Sequence, residues 1–100
     1  MTEKTIKQLR RNAGEVSSFL RSLANENRLV VLCALLEGEQ NVSELNAHVD
    51  LSPSALSQHL AGLREAGLVR TRREAQTIYY SVADERVAEV LGLLKKLFCK

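Results

Sequence analysis

The segment from Asn41 to Arg70 constrains the fold more than any other part of this chain. Its pattern predicts two helices joined by a tight turn and followed by a strand. In the second helix, Ser52 can cap the first free N–H groups, and Pro53 suits the first helical position. Gly67 is typical of a residue just past a helix end.

The second helix is predicted to have one buried face and one exposed face. The buried stripe holds Leu56, Leu60 and Leu63, and the opposite face holds Ser54, Ser57, Gln58 and Ala61. A short, uncharged face lets a backbone approach base edges in a major groove. The first helix has Ser43 as its predicted cap and Leu45 and Val49 as its inward pair. An αα-hairpin in a helical bundle remains the alternative.

Residues 68–74 and 77–82 follow this helix pair and predict a β-hairpin, because they are rich in Val, Thr, Ile and Tyr and flank a short turn. Arg70, Arg72 and Arg73 lie along its first strand. Such a hairpin is typical of a wing that places guanidinium groups on phosphates beside the groove. The alternative is that arginines on an edge strand discourage aggregation.

Three more helices complete the prediction, giving the order ααααββα. Asn25 to Glu37 is apolar almost all round, which predicts a fully buried helix. Amphipathic helices are predicted near the start, through Ile6, Leu9, Ala13, Val16 and Leu20, and from Asp84 onward, through Val87, Val90, Leu91, Leu94, Leu97 and Phe98. The expected fold is mainly α with a small β-hairpin (α+β), a winged helix-turn-helix, forming a homodimer through the terminal helices. Alternatively, both terminal helices cover the domain's own core.

Length and charge agree with a single domain over residues 1–100. Its expected parts are an N-terminal dimerisation helix (1–22), the helix-turn-helix (43–66), the wing (68–82) and a C-terminal dimerisation helix (84–99). The net charge is only +2, but residues 64–73 hold four arginines against one glutamate. Phosphate contacts are therefore expected mainly from the wing.

No apolar run suits a membrane span or an export signal, so we expect a cytoplasmic protein without a membrane partner. No catalytic motif is evident, so an enzyme is not expected.

With these residues in hand, the chain from Val16 to Cys99 resembles the ArsR/SmtB family of winged-helix bacterial repressors. The resemblance is carried by residues 23–29 (LANENRL), 51–69 (LSPSALSQHLAGLREAGLV) and 73–81 (REAQTIYYS). It implies a homodimer that binds double-stranded operator DNA and releases it when an inducer, often a metal ion, binds. The DNA-binding candidates are Ser52, Ser54, Ser57, Gln58, His59, Arg70, Arg72, Arg73 and Gln76.

The sequence departs from the metal-sensing members of that family. Residues 42–50 contain no cysteine, and no histidine follows Asp84. His48 and His59 with two distant cysteines do not form a recognisable ligand set, so neither a metal nor another cofactor is expected. A metal-responsive or constitutive regulator with structural cysteines remains the alternative. A winged helix used only for protein association is disfavoured by Ser57, Gln58 and the wing arginines.

Cys33 and Cys99 match in placement the dithiol subgroup of the family (SqrR/BigR/HlyU-like). That resemblance implies redox sensing by the pair, with a small oxidant or sulfane sulfur as the inducer. The alternative is two inert buried thiols. Cys33 fits this alternative because it shares a stripe with Leu29 and Leu36, whereas Cys99 lies beside Lys95 and is expected to be partly exposed.

Overall fold

The computed structural model describes residues 1–99 and contains five helices and a three-stranded antiparallel sheet. The helices are α1 (Glu3–Leu23), α2 (Glu26–Leu36), α3 (Val42–His48), α4 (Pro53–Glu65) and α5 (Glu85–Phe98). The strands are β1 (Gln40–Asn41), β2 (Val69–Glu74) and β3 (Thr77–Val82). The predicted winged helix-turn-helix is confirmed, with β1 as an addition that the sequence pattern did not indicate.

Side-chain caps explain where α3 and α4, the two helices of the helix-turn-helix, begin. The Ser52 hydroxyl accepts a hydrogen bond from the Ala55 N–H at 3.2 Å, as its position before Pro53 predicted. The predicted cap of α3 at Ser43 is wrong. Asn41 caps that helix through a reciprocal pair of bonds with Glu44, at 2.8 and 2.9 Å. These two bonds satisfy both donors, so α3 starts before Ser43.

The end of α4 is fixed by a Schellman motif. The N–H of Gly67 donates to the carbonyl of Arg64 at 3.0 Å, and that of Leu68 donates to the carbonyl of Leu63 at 2.9 Å. Gly67 has a φ of +77°, the left-handed conformation that only glycine adopts without a penalty. Leu63 and Leu68, which this second bond joins, are both buried. The motif therefore ends α4 and directs the chain into the wing.

The sheet joins the wing to the start of the helix-turn-helix. Its order is β1-β3-β2, with Asn41 opposite Tyr79 and Tyr79 opposite Arg72. A strand of two residues is too short to show the alternation that identifies strands in a sequence. The wing is therefore held at its base by residues that directly precede α3.

The core lies between α2, α3, α4, α5 and the wing. Its fully buried side chains are Val31, Leu32, Leu45, Leu56, Leu60, Leu63, Val87 and Leu91. The predicted inward stripes of α3 and α4 are confirmed. The prediction that α2 is buried all round is wrong, because Val30 is 49% exposed and Cys33 is also exposed. The helix packs one side against the core and leaves its other side open.

Helix α1 extends away from this core. Phe19, Ser22 and Leu23 are the only residues of this helix that are partly or fully buried. The described chain measures 52 × 31 × 20 Å. The Arg86 guanidinium holds its second half, lying 4.9 Å from the Phe19 ring centroid and 3.2 Å from the Glu15 carboxylate. The predicted stripe of Ile6, Leu9, Val16 and Leu20 stays exposed to solvent. Within residues 1–99, no helix has the length and apolar character needed to cross a bilayer.

Candidate functional site

The outer face of α4 presents the small polar side chains expected of a DNA reader. Ser54, Ser57 and Gln58 are exposed, because the leucine stripe on the opposite side is fully buried. His59 is half-buried at the edge of this face. Because the exposed side chains on this face are short and uncharged, α4 can approach DNA closely and offer both hydrogen-bond donors and acceptors.

The wing candidates lie on two different faces of the hairpin. Alternation along β2 puts Arg70 and Arg72 in the outer row and Arg73 in the row that begins with buried Val69. Gln76 is exposed in the tip turn, next to Ala75, whose φ is +56°. The structure therefore separates three arginines that appear equivalent in the sequence.

Arg72 differs from the other two because it is held by acidic groups. Its guanidinium donates to both carboxylate oxygens of Glu39, the shortest contact being 2.8 Å, and to Glu74 at 3.2 Å. These hydrogen bonds keep the pKa of Glu39 below its ordinary value. The Arg72 guanidinium carbon also lies 4.7 Å from the Tyr79 ring centroid. Glu39 was not singled out by sequence, since 33 residues separate it from Arg72.

A second site lies between α2 and α5, where Cys33 and Cys99 line the same groove. Its polar end is a cavity of about 550 Å³ that also includes Ala34, Glu37, Gln40, His48 and Lys95. Its apolar end is a cavity of about 370 Å³ walled by Leu29, Leu91, Leu94 and Phe98, again with Cys33, Lys95 and Cys99. We call this feature the thiol groove. The structure thus brings together two cysteines that are far apart in the sequence.

Both cysteines are free thiols and both are exposed. The expectation that Cys33 shares a buried stripe is therefore wrong, whereas partial exposure of Cys99 is confirmed. The pKa of the Cys33 thiol is raised, because partial burial disfavours the thiolate and a Cys99 thiolate would repel it. The ammonium group of Lys95 acts in the opposite direction.

Polar contacts fix the wall of the thiol groove. Lys95 binds the Glu37 carboxylate at 3.2 Å, which ties α5 to the end of α2. The Gln40 amide donates to the Ala34 carbonyl at 2.7 Å. The sequence pattern identified Lys95 beside Cys99 but not Glu37 and Gln40. These two residues line the groove because the turn between α2 and β1 folds back beside it. Among residues 1–99, no three His, Cys, Asp or Glu side chains are grouped so that they could hold a metal ion.

The fold and the α4 face together define a winged helix-turn-helix DNA-binding protein. Residues 25–71 match the family described as "Bacterial regulatory protein, arsR family". The transcriptional activator HlyU of Vibrio cholerae is 44% identical over 95 residues, covering 95% of this chain and 88% of that protein. The chain belongs to the arsR family and is a transcriptional regulator that binds DNA.

One further relative and a solved structure of HlyU support this placement. The biofilm growth-associated repressor of Agrobacterium fabrum is 43% identical over 91 residues, covering 91% of this chain and 78% of that protein. A solved structure described as reduced HlyU from Vibrio cholerae superposes with a TM-score of 0.86 at 45% identity. That match covers 94% of this chain and 99% of the other. The similarity thus extends over nearly the whole chain rather than over the helix-turn-helix alone.

Proposed function

We propose that the chain is a cytoplasmic, homodimeric repressor that releases operator DNA when Cys33 and Cys99 become linked. The inducer would be a small oxidant or a donor of sulfane sulfur. The observation that carries this proposal is the thiol groove, in which both exposed thiols line the same two cavities. Two inert structural cysteines would more often be buried in the core.

The DNA-binding part of the proposal rests on α4 and the wing. Ser54, Ser57 and Gln58 contact base edges in the major groove, with Ser52 at the start of the helix and His59 at its edge. Arg70, Arg73 and Gln76 lie beside the sugar-phosphate backbone. In a two-fold dimer the two α4 helices are about one helical turn apart, roughly 34 Å, so the operator is nearly palindromic.

The dimer part rests on apolar surface that the single chain leaves uncovered. One part of this surface is the exposed apolar stripe on α1. The other part is on α5, where Leu93, Leu97 and Phe98 are 53–78% exposed. A monomer rarely leaves such stripes open to solvent, and a two-fold interface would cover both.

The thiol chemistry needs no group beyond the inducer. A Cys thiolate attacks the terminal sulfur of a persulfide RSSH, which gives Cys–SSH and releases RS⁻. The second Cys thiolate then attacks the protein sulfur of Cys–SSH, forming the disulfide and releasing HS⁻. When both cysteines carry persulfides first, attack of one on the other gives a trisulfide and HS⁻. In each route the two cysteines lose two electrons in total and one transferred sulfur atom is reduced to HS⁻. In the second route the other transferred sulfur atom stays in the trisulfide.

One relative supports control by thiol redox state, and another supports repression. One solved relative is described as reduced HlyU, a name that distinguishes a reduced form. Another relative is named a repressor, which supports repression here, although HlyU itself is named an activator.

Linking α2 to the end of α5 would join a core helix to a proposed dimer helix, and would thereby change how the two α4 helices are spaced.

Mass spectrometry after treatment with a sulfane-sulfur donor tests the linkage. We expect one peptide pair joining Cys33 and Cys99 within a chain, with the loss of both free thiols. The variant Cys99→Ser is the matched control and should form no internal linkage. Persulfides that remain on separate cysteines, or links only between chains, would contradict the proposal and favour a constitutive regulator with structural cysteines.

A further inference from the structure

The side chain of Arg72 crosses the outer face of the wing from one edge toward the other. Arg72 lies on β2 and Glu39 directly precedes β1, while β3 runs between these two strands. The Nε and a terminal nitrogen of Arg72 contact Glu39 at 3.0 and 2.8 Å, and the guanidinium lies over the ring of Tyr79 on β3. One side chain on β2 thus contacts Tyr79 on β3 and the residue directly before β1, an arrangement that we call the wing strap.

Charge and geometry make Arg72 a poor phosphate ligand in this arrangement. Its other terminal nitrogen donates to Glu74, so one cation faces two carboxylates. A phosphate that approached this cluster would meet a net negative charge from the two carboxylates, and three of the five guanidinium N–H groups are already in use. Among residues 1–99, neither Arg70 nor Arg73 has a salt-bridge partner.

We propose that Arg72 and Glu39 are positioning residues that set the angle of the wing, and that phosphate binding by the wing falls chiefly to Arg73 on the other face of β2. This inference rests on the proposed DNA-binding role of α4 and the wing. Arg73 lies in the row of β2 that begins with buried Val69. Val82 and Tyr80, which lie opposite this row on β3, pack against the core. Arg73 is therefore on the core side of the sheet, opposite to the face that carries Arg72.

The strap determines wing position because Glu39 is continuous with the start of the helix-turn-helix. Gln40 and Asn41 form β1, and Asn41 caps α3 in the reciprocal bond with Glu44. Glu39 thus fixes the hairpin to the residues from which α3 begins. When the strap is broken, the wing keeps Arg73 and its pairing with β1 but loses one of the contacts that fix its angle to the helix-turn-helix.

Salt titrations of binding to an operator duplex and to a scrambled duplex separate the two roles. Arg73→Gln should reduce the salt slope by about one on both duplexes. Arg72→Gln and Glu39→Gln should leave the slope on the scrambled duplex unchanged, and should lower the preference for the operator on the order of tenfold. The Arg72→Gln/Glu39→Gln double variant should match either single variant, because both remove the same contact. Arg72→Lys should not restore preference, since ammonium lacks the fork that binds Glu39.

Amide hydrogen exchange without DNA tests the strap independently of operator binding. Exchange in β2 and β3 should accelerate in Arg72→Gln and in Glu39→Gln, but not in Arg73→Gln. A slope reduced by about one in Arg72→Gln, or binding strengthened equally on both duplexes in Glu39→Gln, would make Arg72 a phosphate contact and overturn the inference. Unchanged exchange in both strap variants would also overturn it. Failure of the wild-type protein to prefer any duplex would instead refute the proposed function, and the exchange result would still decide the strap.

Discussion

Gln58 and Ser57 are the exposed side chains of α4 best suited to distinguish one base pair from another. A carboxamide can form paired hydrogen bonds with an adenine edge, and a hydroxyl can donate or accept. Gln58→Ala should therefore reduce discrimination among operator variants by about 1 to 3 kcal/mol. Fluorescence anisotropy on a set of single-base operator variants measures this loss. Glu89→Gln, on exposed α5 surface, is the control. Uniform weakening across all the variants would contradict a base contact.

The raised pKa of Cys33 gives a test of whether the two thiols interact. A Cys99 thiolate raises the pKa of Cys33 and the Lys95 ammonium lowers it. Cys99→Ser should therefore lower the pKa of Cys33, and Lys95→Gln should raise it further. The pH dependence of alkylation by iodoacetamide, followed at Cys33 by mass spectrometry, reports both shifts. An unchanged profile in Cys99→Ser would show that the sulfurs do not influence each other.

The end of α4 is held by a backbone conformation that glycine alone adopts at low cost. With φ of +77° at Gly67, an alanine would be strained by about 1 kcal/mol or more. Gly67→Ala should lower the free energy of unfolding by this amount in urea denaturation. Gly14→Ala is the matched control, because Gly14 lies inside α1 and a methyl group there would meet no neighbouring side chain. There we expect a gain of about 0.5 to 1 kcal/mol. Equal effects of the two substitutions would contradict the motif.

Elements whose signals are local were predictable from the sequence. The cap at Ser52, the leucine stripe and Gly67 define α4 within a short window, and the wing follows from its β-branched residues. The short strand β1 was missed because its pairing partner Tyr79 is distant in sequence. The open side of α2 was missed for a related reason. An apolar helix does not reveal from its own residues how many neighbours cover it.

The candidate site shows the same limit. The exposed face of α4 follows from helical periodicity, so Ser57 and Gln58 could be predicted. The carboxylate partners of Arg72 could not, since they depend on where the turn before β1 meets the wing. Likewise, the pairing of Cys33 with Cys99 was predicted only from a family resemblance. The thiol groove around these residues forms because α5 packs against α2, which the sequence does not show.

The elongated shape of the molecule is consistent with the proposed homodimer. The radius of gyration is 15.3 Å, against about 13 Å for a compact chain of this length. Helix α1, which extends away from the core, accounts for this difference. Leu9→Glu should convert a dimer into a monomer in sedimentation velocity, because a charge would be buried in the interface. Lys7→Glu changes charge off the stripe and should leave the dimer intact. A wild-type chain that is monomeric at micromolar concentration would contradict the dimer.

Operator affinity in the reduced and sulfane-sulfur-treated states tests the central claim most directly. Anisotropy titrations should show tight binding by the reduced protein and a loss of about tenfold or more after treatment. The same treatment should leave the affinity of Cys33→Ser unchanged, because that variant cannot form the linkage. Unchanged affinity in the treated wild-type protein, or an equal loss in a Cys33→Ser/Cys99→Ser protein, would contradict control by the two thiols.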